Sequence, residues 1–207
     1  IEWSEKLPSP LHPEIPCISV HMEEGTSQND RLCTITFKDI PLPTDGQIET
    51  WRDELMLSTH VRCHCDAVSA FASTLADTMQ RKSIVVRKQA LIQSARCHDL
   101  LRFVDFQRGK AFKNYQPSQQ EEDCWKRYKE RYDPMKHEDA AAAYLREQGY
   151  EAIADIVEVH GLQLPSPDRQ TIEQKLLFYA DKRVKYIDVV SLKERFDDFQ
   201  KRYGGDD

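Results

Sequence analysis

The chain has 207 residues, 40% hydrophobic and 31% charged, which suits one soluble domain, or one domain with an arm, with enough length to bury a core. Its net charge of −6 argues against broad attraction to duplex nucleic acid or an anionic membrane. No apolar run is long enough to span a bilayer, no secretion-signal pattern is present, and the first residue is Ile rather than Met, as in a fragment or processed form. The six cysteines (Cys17, Cys33, Cys63, Cys65, Cys97, Cys124) lack paired metal-site spacing, and Cys63-x-Cys65 is not a C-x-x-C motif. Reduced thiols in a cytoplasmic protein, or a nuclear one, are therefore expected.

Residues 1–45 read as an N-terminal arm. Pro8, Pro10, Pro13 and Pro16 block helix and favour extended chain. Two β-prone runs follow, Cys17–Met22 and Arg31–Phe37, joined by the turn-like EEGTSQND, so a small hairpin is expected. After Gly46 helical patterns dominate, and residues 46–207 are expected to form an all-α domain. Apolar spacing and caps place helices over Asp45–Leu57, Ser58–Gln80, Ser83–Phe103, Ser118–Arg131, Lys136–Gln148, Tyr150–His160, Asp168–Lys185 and Ser191–Tyr203. Gly149 and Gly161 follow helix ends as C-cap residues do, and Ser191 with Glu194 makes a capping box. LQLPSPDRQ is a loop, and no internal repeat is visible.

The polar residues on this map are unusual. SARCHDLLRF puts His98 and Asp99 inside a run that reads as buried helix, and Asp181 lies in LLFYADKRV between apolar neighbours. An isolated core carboxylate costs several kcal/mol or is driven to neutrality. A divalent metal removes that objection, because it accepts imidazole nitrogen and carboxylate oxygen together. The order His64, His98-Asp99, His137, His160, Asp181 along successive helices therefore reads as a metal site in a bundle. Plainer readings stand beside it. A single histidine on an apolar face is usually a satisfied core residue or an exposed one. His137 also suits a helix N-terminus, and His160 a helix C-terminus.

The residues resemble the HD-domain superfamily of metal-dependent phosphohydrolases over roughly Trp51 to Tyr203. HCDAVSAFASTLA looks like its first ligand helix and SARCHDLLRF like its doublet helix. HEDAAAAYLREQGYEAIADIVEVHG is similar to the two-histidine segment of the dinuclear branch, and KLLFYADKRV to the closing helix. The resemblance implies an HD-domain helical bundle. It assigns His64, His98, Asp99 and Asp181 to a first divalent ion, with Asp99 bridging to a second ion completed by His137 and His160. Mn, Fe, Mg or Co suits such mixed donors. His60 lies one turn before His64 on the same face and is the alternative first ligand; His64 fits the family's rhythm better, leaving His60 beside the site or near substrate.

The implied activity is hydrolysis of a phosphate ester of a small molecule, a nucleotide among the candidates, by metal-activated water. Beside Asp99, Arg102 and Lys182 are the candidate catalytic cations; Arg102 stands where many family members carry lysine and would grip phosphate bidentately. Arg96 and Arg183 read by default as surface charges. Asp105 and Glu138 are acids that would orient a ligand or a water, or else solvated caps. Gln119–Lys136, with Trp125, Tyr128 and Tyr132, reads as an amphipathic helix: either a lid with a base-stacking wall, or an ordinary packed helix. Two other classes stand beside it: a di-iron oxygenase, which shares the ligand order, and a non-catalytic nucleotide-binding HD module, against which the full ligand set argues. Oligomeric state is left open.

Overall fold

The computed structural model describes residues 16–106, 115–162 and 166–203; the expected arm at Pro8, Pro10 and Pro13 and part of the LQLPSPDRQ loop lie outside them. Cross-strand pairing accounts for the N-terminal hairpin. Strands β1 (Cys17–Glu24) and β2 (Arg31–Lys38) run antiparallel, with Ile18 opposite Phe37, Val20 opposite Ile35 and Met22 opposite Cys33. Side chains alternate along a strand, so these six residues share one face, while Ser19, His21, Thr34 and Thr36 share the other. At the turn the Gly25 N–H donates to Asp30 O at 3.0 Å. A Cβ on Gly25 would come within 2.5 Å of the Asp30 Cβ, so this approach requires glycine. The chain divides into two compact units after Pro41, the hairpin in the first and the helices in the second.

Helix α1 (Asp45–Glu54) starts at a capping box of Thr44 and Gln47. The same device starts α4 (Gln119–Tyr132), with Ser118 and Glu121, and α7 (Ile172–Arg183), with Thr171 and Gln174. The remaining helices are α2 (Thr59–Arg81), α3 (Lys88–Cys97), α5 (His137–Glu147), α6 (Glu151–Glu158) and α8 (Leu192–Tyr203).

Three of these helices stop in one way. After α1, α2 and α5 a residue with positive φ, Met56 (48°), Ser83 (60°) or Gly149 (86°), turns the chain over. The next N–H then reaches back five residues: Leu57 to Arg52 O (2.8 Å), Ile84 to Met79 O (3.0 Å) and Tyr150 to Leu145 O (3.0 Å). These are Schellman caps, which satisfy carbonyls left over at a helix end.

Helix α2 packs on α3 and α7, and α5 packs on α6. Buried alanines on each of them (Ala72, Ala76, Ala95, Ala140, Ala154, Ala180) keep side-chain bulk low where helices meet. The buried Arg52 guanidinium is paired with Glu49 (3.0 Å) and Asp66 (2.9 Å) and donates to Arg96 O (3.1 Å), as an enclosed cation must. Arg96 binds Asp45 and Glu49, both at 2.5 Å. It is therefore a tie between α3 and α1 rather than the free surface charge expected of it. Arg183 is likewise engaged, donating to Val190 O and the Tyr179 hydroxyl, both at 2.5 Å.

Two expectations shift. The helix expected over Ser83–Phe103 is shorter at both ends. The Schellman turn at Ser83 delays its start, and past Cys97 the chain tightens into i→i+3 turns and a 3-10 segment, Arg102–Asp105. The helix expected to Lys185 ends at Arg183 in a two-residue ladder, β3 (Val184–Lys185) with β4 (Asp188–Val189). No helix of the described residues is long and apolar enough to cross a membrane.

The caps predict opposite responses to mutation. Gly149→Ala should lower unfolding free energy by about 1 kcal/mol, and Ser83→Gly should raise it by up to about 1 kcal/mol, because the left-handed conformation penalises a Cβ by roughly that amount. Urea denaturation should show shifted midpoints with unchanged slopes.

Candidate metal centre

The expected ligands sit at helix margins. His64 is on the second turn of α2; His98 and Asp99 directly follow α3; His137 opens α5; His160 lies two residues past α6; Asp181 is in the last turn of α7. All six side chains point into the bundle and are at most 12% exposed. Among the described residues three groups lie close enough for each to hold a cation, the first two sharing His98: His64, His98 and Asp181; His98, Asp99 and His160; Asp105, His137 and Glu138.

Backbone carbonyls set the orientation of three rings. His98 Nδ1 lies 2.7 Å from Ala95 O, His160 Nδ1 lies 2.6 Å from Val157 O, and His64 Nδ1 lies 2.9 Å from Tyr186 O. A carbonyl only accepts, so each Nδ1 carries the proton and donates it. In a neutral ring Nε2 then presents a lone pair. The bond at His98 also helps end α3: it takes the Ala95 carbonyl that the Asp99 N–H would use in a continuing helix.

The Nε2 atoms converge on the two carboxylates. His64 Nε2 is 3.1 Å from Asp181 Oδ1, and His98 Nε2 is 3.8 Å from that oxygen and 3.6 Å from Asp99 Oδ2. The other oxygen of Asp99, Oδ1, faces His137 Nε2 at 3.3 Å and His160 Nε2 at 3.7 Å. Asp99 thus turns one oxygen to each of two histidine sets. His98 is fully buried, and its Nε2 has no hydrogen-bond partner among the described residues. An orphaned lone pair facing carboxylate oxygens is an acceptor facing acceptors, and a cation resolves that conflict. The donor set therefore fits divalent metal.

Burial pushes the His98 pKa down to about 4, against the pull of Asp99 and Asp181, so the ring is neutral near pH 7. Burial would raise both carboxylates. His98, His137, His160 and Arg102 nevertheless hold Asp99 well below the usual range, and Lys182, His64 and His98 do the same for Asp181. Burial and Arg102 push His137 down, but hydrogen bonds to Asp105, Asp99 and Glu138 outweigh them and raise it to about 10.

The neighbouring groups also take defined places. Asp105 accepts from His137 twice, from the backbone N–H (3.2 Å) and from Nδ1 (2.5 Å), and so caps α5. Glu138 Oε2 lies 3.0 Å from the same Nδ1. Gly161 makes room for that carboxylate, since a Cβ there would fall 1.8 Å from Glu138 Oε1. Arg102, partly exposed, sets Nη1 within 2.9 Å of both His137 ring nitrogens and 3.5 Å from Asp105. Lys182 is buried and paired with Asp181 Oδ2. His60 is outside the three cation groups, its ring stacked on Tyr186 with centroids 4.2 Å apart.

The aromatic residues of α4 face inward. Trp125 stacks on Phe103 (5.4 Å) and donates from Nε1 to Leu55 O (3.2 Å), and the buried Tyr132 donates to Glu147 (2.9 Å). Of the two readings of this segment, the packed helix holds for Trp125 and Tyr132. Sequence reading missed Tyr186, whose contribution is a main-chain carbonyl, and the steric role of Gly161. A residue type does not advertise either. No protein-family model, no curated protein and no solved structure matches the chain.

The pH dependence of the metal-free protein follows from two of these rings. His98 falls from an ordinary 6.5 to about 4, so the unfolded chain binds more protons between those values. The stability it contributes is complete above pH 6.5 and is lost as pH falls towards 4. His137 acts in the opposite sense: its contribution is full below 6.5 and is lost as pH rises through about 10. Denaturation of chelator-treated protein across pH should show both limbs. His98→Asn should flatten the acid one, and His137→Asn the alkaline one.

Proposed function

We propose that the chain is a metal-dependent phosphohydrolase of the HD-domain type, acting on a phosphate ester of a small molecule. The observation that carries this reading is the arrangement around Asp99, whose two oxygens address separate histidine sets beside the orphaned Nε2 of His98. His64, His98, Asp99 and Asp181 would hold one divalent ion, and Asp99, His137 and His160 a second. Such ions lower the pKa of bound water and offset phosphoryl charge.

The chain's own groups supply the rest. Ala95, Val157 and Tyr186 carbonyls accept the Nδ1 protons and so aim three Nε2 atoms at the carboxylates. Asp105 and Glu138 hold His137 from its far side. Arg102 is the partly exposed cation beside the cluster, and its planar fork suits a phosphate bidentately. Lys182 balances the buried charge of Asp181 rather than offering itself to substrate.

Protein purified without chelator should contain divalent metal and release inorganic phosphate from members of a phosphate-ester panel, equally in air and without oxygen. Asp99→Ala should cut metal content and lower kcat/KM by more than the roughly 10–100-fold typical of outer-shell losses. Arg102→Ala should lower kcat/KM by about 10–100-fold with metal content unchanged, as the loss of a charge-assisted hydrogen bond predicts. Oxygen uptake with an iron signal and no phosphate release would replace the hydrolase with an oxygenase. Nucleotide binding without turnover would leave a binding module.

A further inference from the structure

The turn between β3 and β4 carries an arrangement that metal binding alone does not explain. Tyr186 has φ of +63°, a region that bulky L side chains seldom adopt. The strained backbone aims its carbonyl at His64 Nδ1 (2.9 Å). The ring lies flat on His60, with centroids 4.2 Å apart and planes inclined by 14°. Tyr186 is nonetheless 43% exposed, and Ile187 and Val189 beside it are also exposed. His60 precedes His64 by one turn of α2, about 5.4 Å along the axis. A flat, partly open aromatic surface therefore stands roughly one turn from the histidine–carboxylate cluster, a reach that a sugar bridges between a phosphate and a planar ring.

From this geometry we infer that Tyr186, backed by His60, is a stacking platform for the base of a nucleotide, and that the substrate class is nucleoside phosphates; the placing of the phosphate, though not the stacking, rests on the phosphohydrolase reading. Every base offers a π-face, so such a platform selects for a base without selecting which one. The buried Trp125 and Tyr132 of α4 are already engaged with protein, whereas Tyr186 presents surface. A residue that only had to accept from His64 through its carbonyl would gain nothing from an exposed ring over strained backbone; glycine would serve.

The test is calorimetric titration of the full, metal-loaded chain with methylene-phosphonate analogues of adenosine monophosphate and of ribose phosphate, which do not hydrolyse. The base-bearing analogue should bind about tenfold or more tightly than the ribose analogue. Tyr186→Leu, which removes the ring and keeps the main-chain carbonyl that His64 uses, should abolish that preference. Tyr186→Phe should keep it, and His60→Leu should reduce it by removing the backing ring. Equal affinities in the parent protein would overturn the platform. So would an equal loss for both analogues in Tyr186→Leu, which would mark a merely structural residue, or failure of both to bind. Phosphate release from adenosine monophosphate is scored separately: base-dependent binding without release would sink the hydrolase reading and leave the platform standing.

Discussion

Asp99 and Asp181 place two ionised carboxylates in the interior of a helical bundle, where a lone charge would cost several kcal/mol. The histidine between them, His98, does not neutralise them in the usual way. The Nδ1 protons of His64, His98 and His160 are committed to backbone carbonyls, and the His98 ring, with its pKa near 4, is neutral. At His98 a lone pair therefore meets carboxylate lone pairs, whereas His64 donates from Nε2 to Asp181 (3.1 Å). Lys182 relieves one oxygen of Asp181, and His137, raised to about 10, relieves one side of Asp99. The orphaned His98 Nε2 between the two acids is left over, and that residual conflict is what a cation would answer.

The fold meets this constraint with its chain breaks more than with its helices. The hydrogen bond from His98 to the Ala95 carbonyl fixes the tautomer and takes an acceptor from the end of α3. His160 repeats the device past α6 with Val157. Asp105 does the converse at the start of α5, where one carboxylate caps the helix and holds His137 through its ring. Termination, capping and orientation are thus served by the same few bonds. Gly161 belongs to this economy, since any side chain there would displace Glu138 from beside His137.

Much of this was legible in sequence. Apolar spacing placed the helices, glycine after Gln148 marked an end, and the order of histidines and acids along successive helices singled out six residues that converge. Errors fell where local pattern and tertiary demand diverge. The run through Leu100, Leu101 and Phe103 is helical by periodicity, yet the chain tightens there because the Ala95 carbonyl is already taken. Arg96 looked like a surface charge because nothing in its neighbourhood reveals that Asp45 and Glu49 lie against it. The aromatics of α4 fitted a lid or a packed helix equally well until Trp125 was found stacked on Phe103.

The amino-acid order by itself determined a helical chain with an N-terminal hairpin and a set of imidazoles and carboxylates too costly to bury apart, because helical periodicity and desolvation are properties of residue type and spacing. Only the tertiary structure decided which nitrogen of each ring faces the acids, that the two oxygens of Asp99 look different ways, and that Tyr186 joins His60 to His64. Those outcomes depend on main-chain carbonyls and on the close approach of segments far apart in the chain, and the nature of a side chain encodes neither.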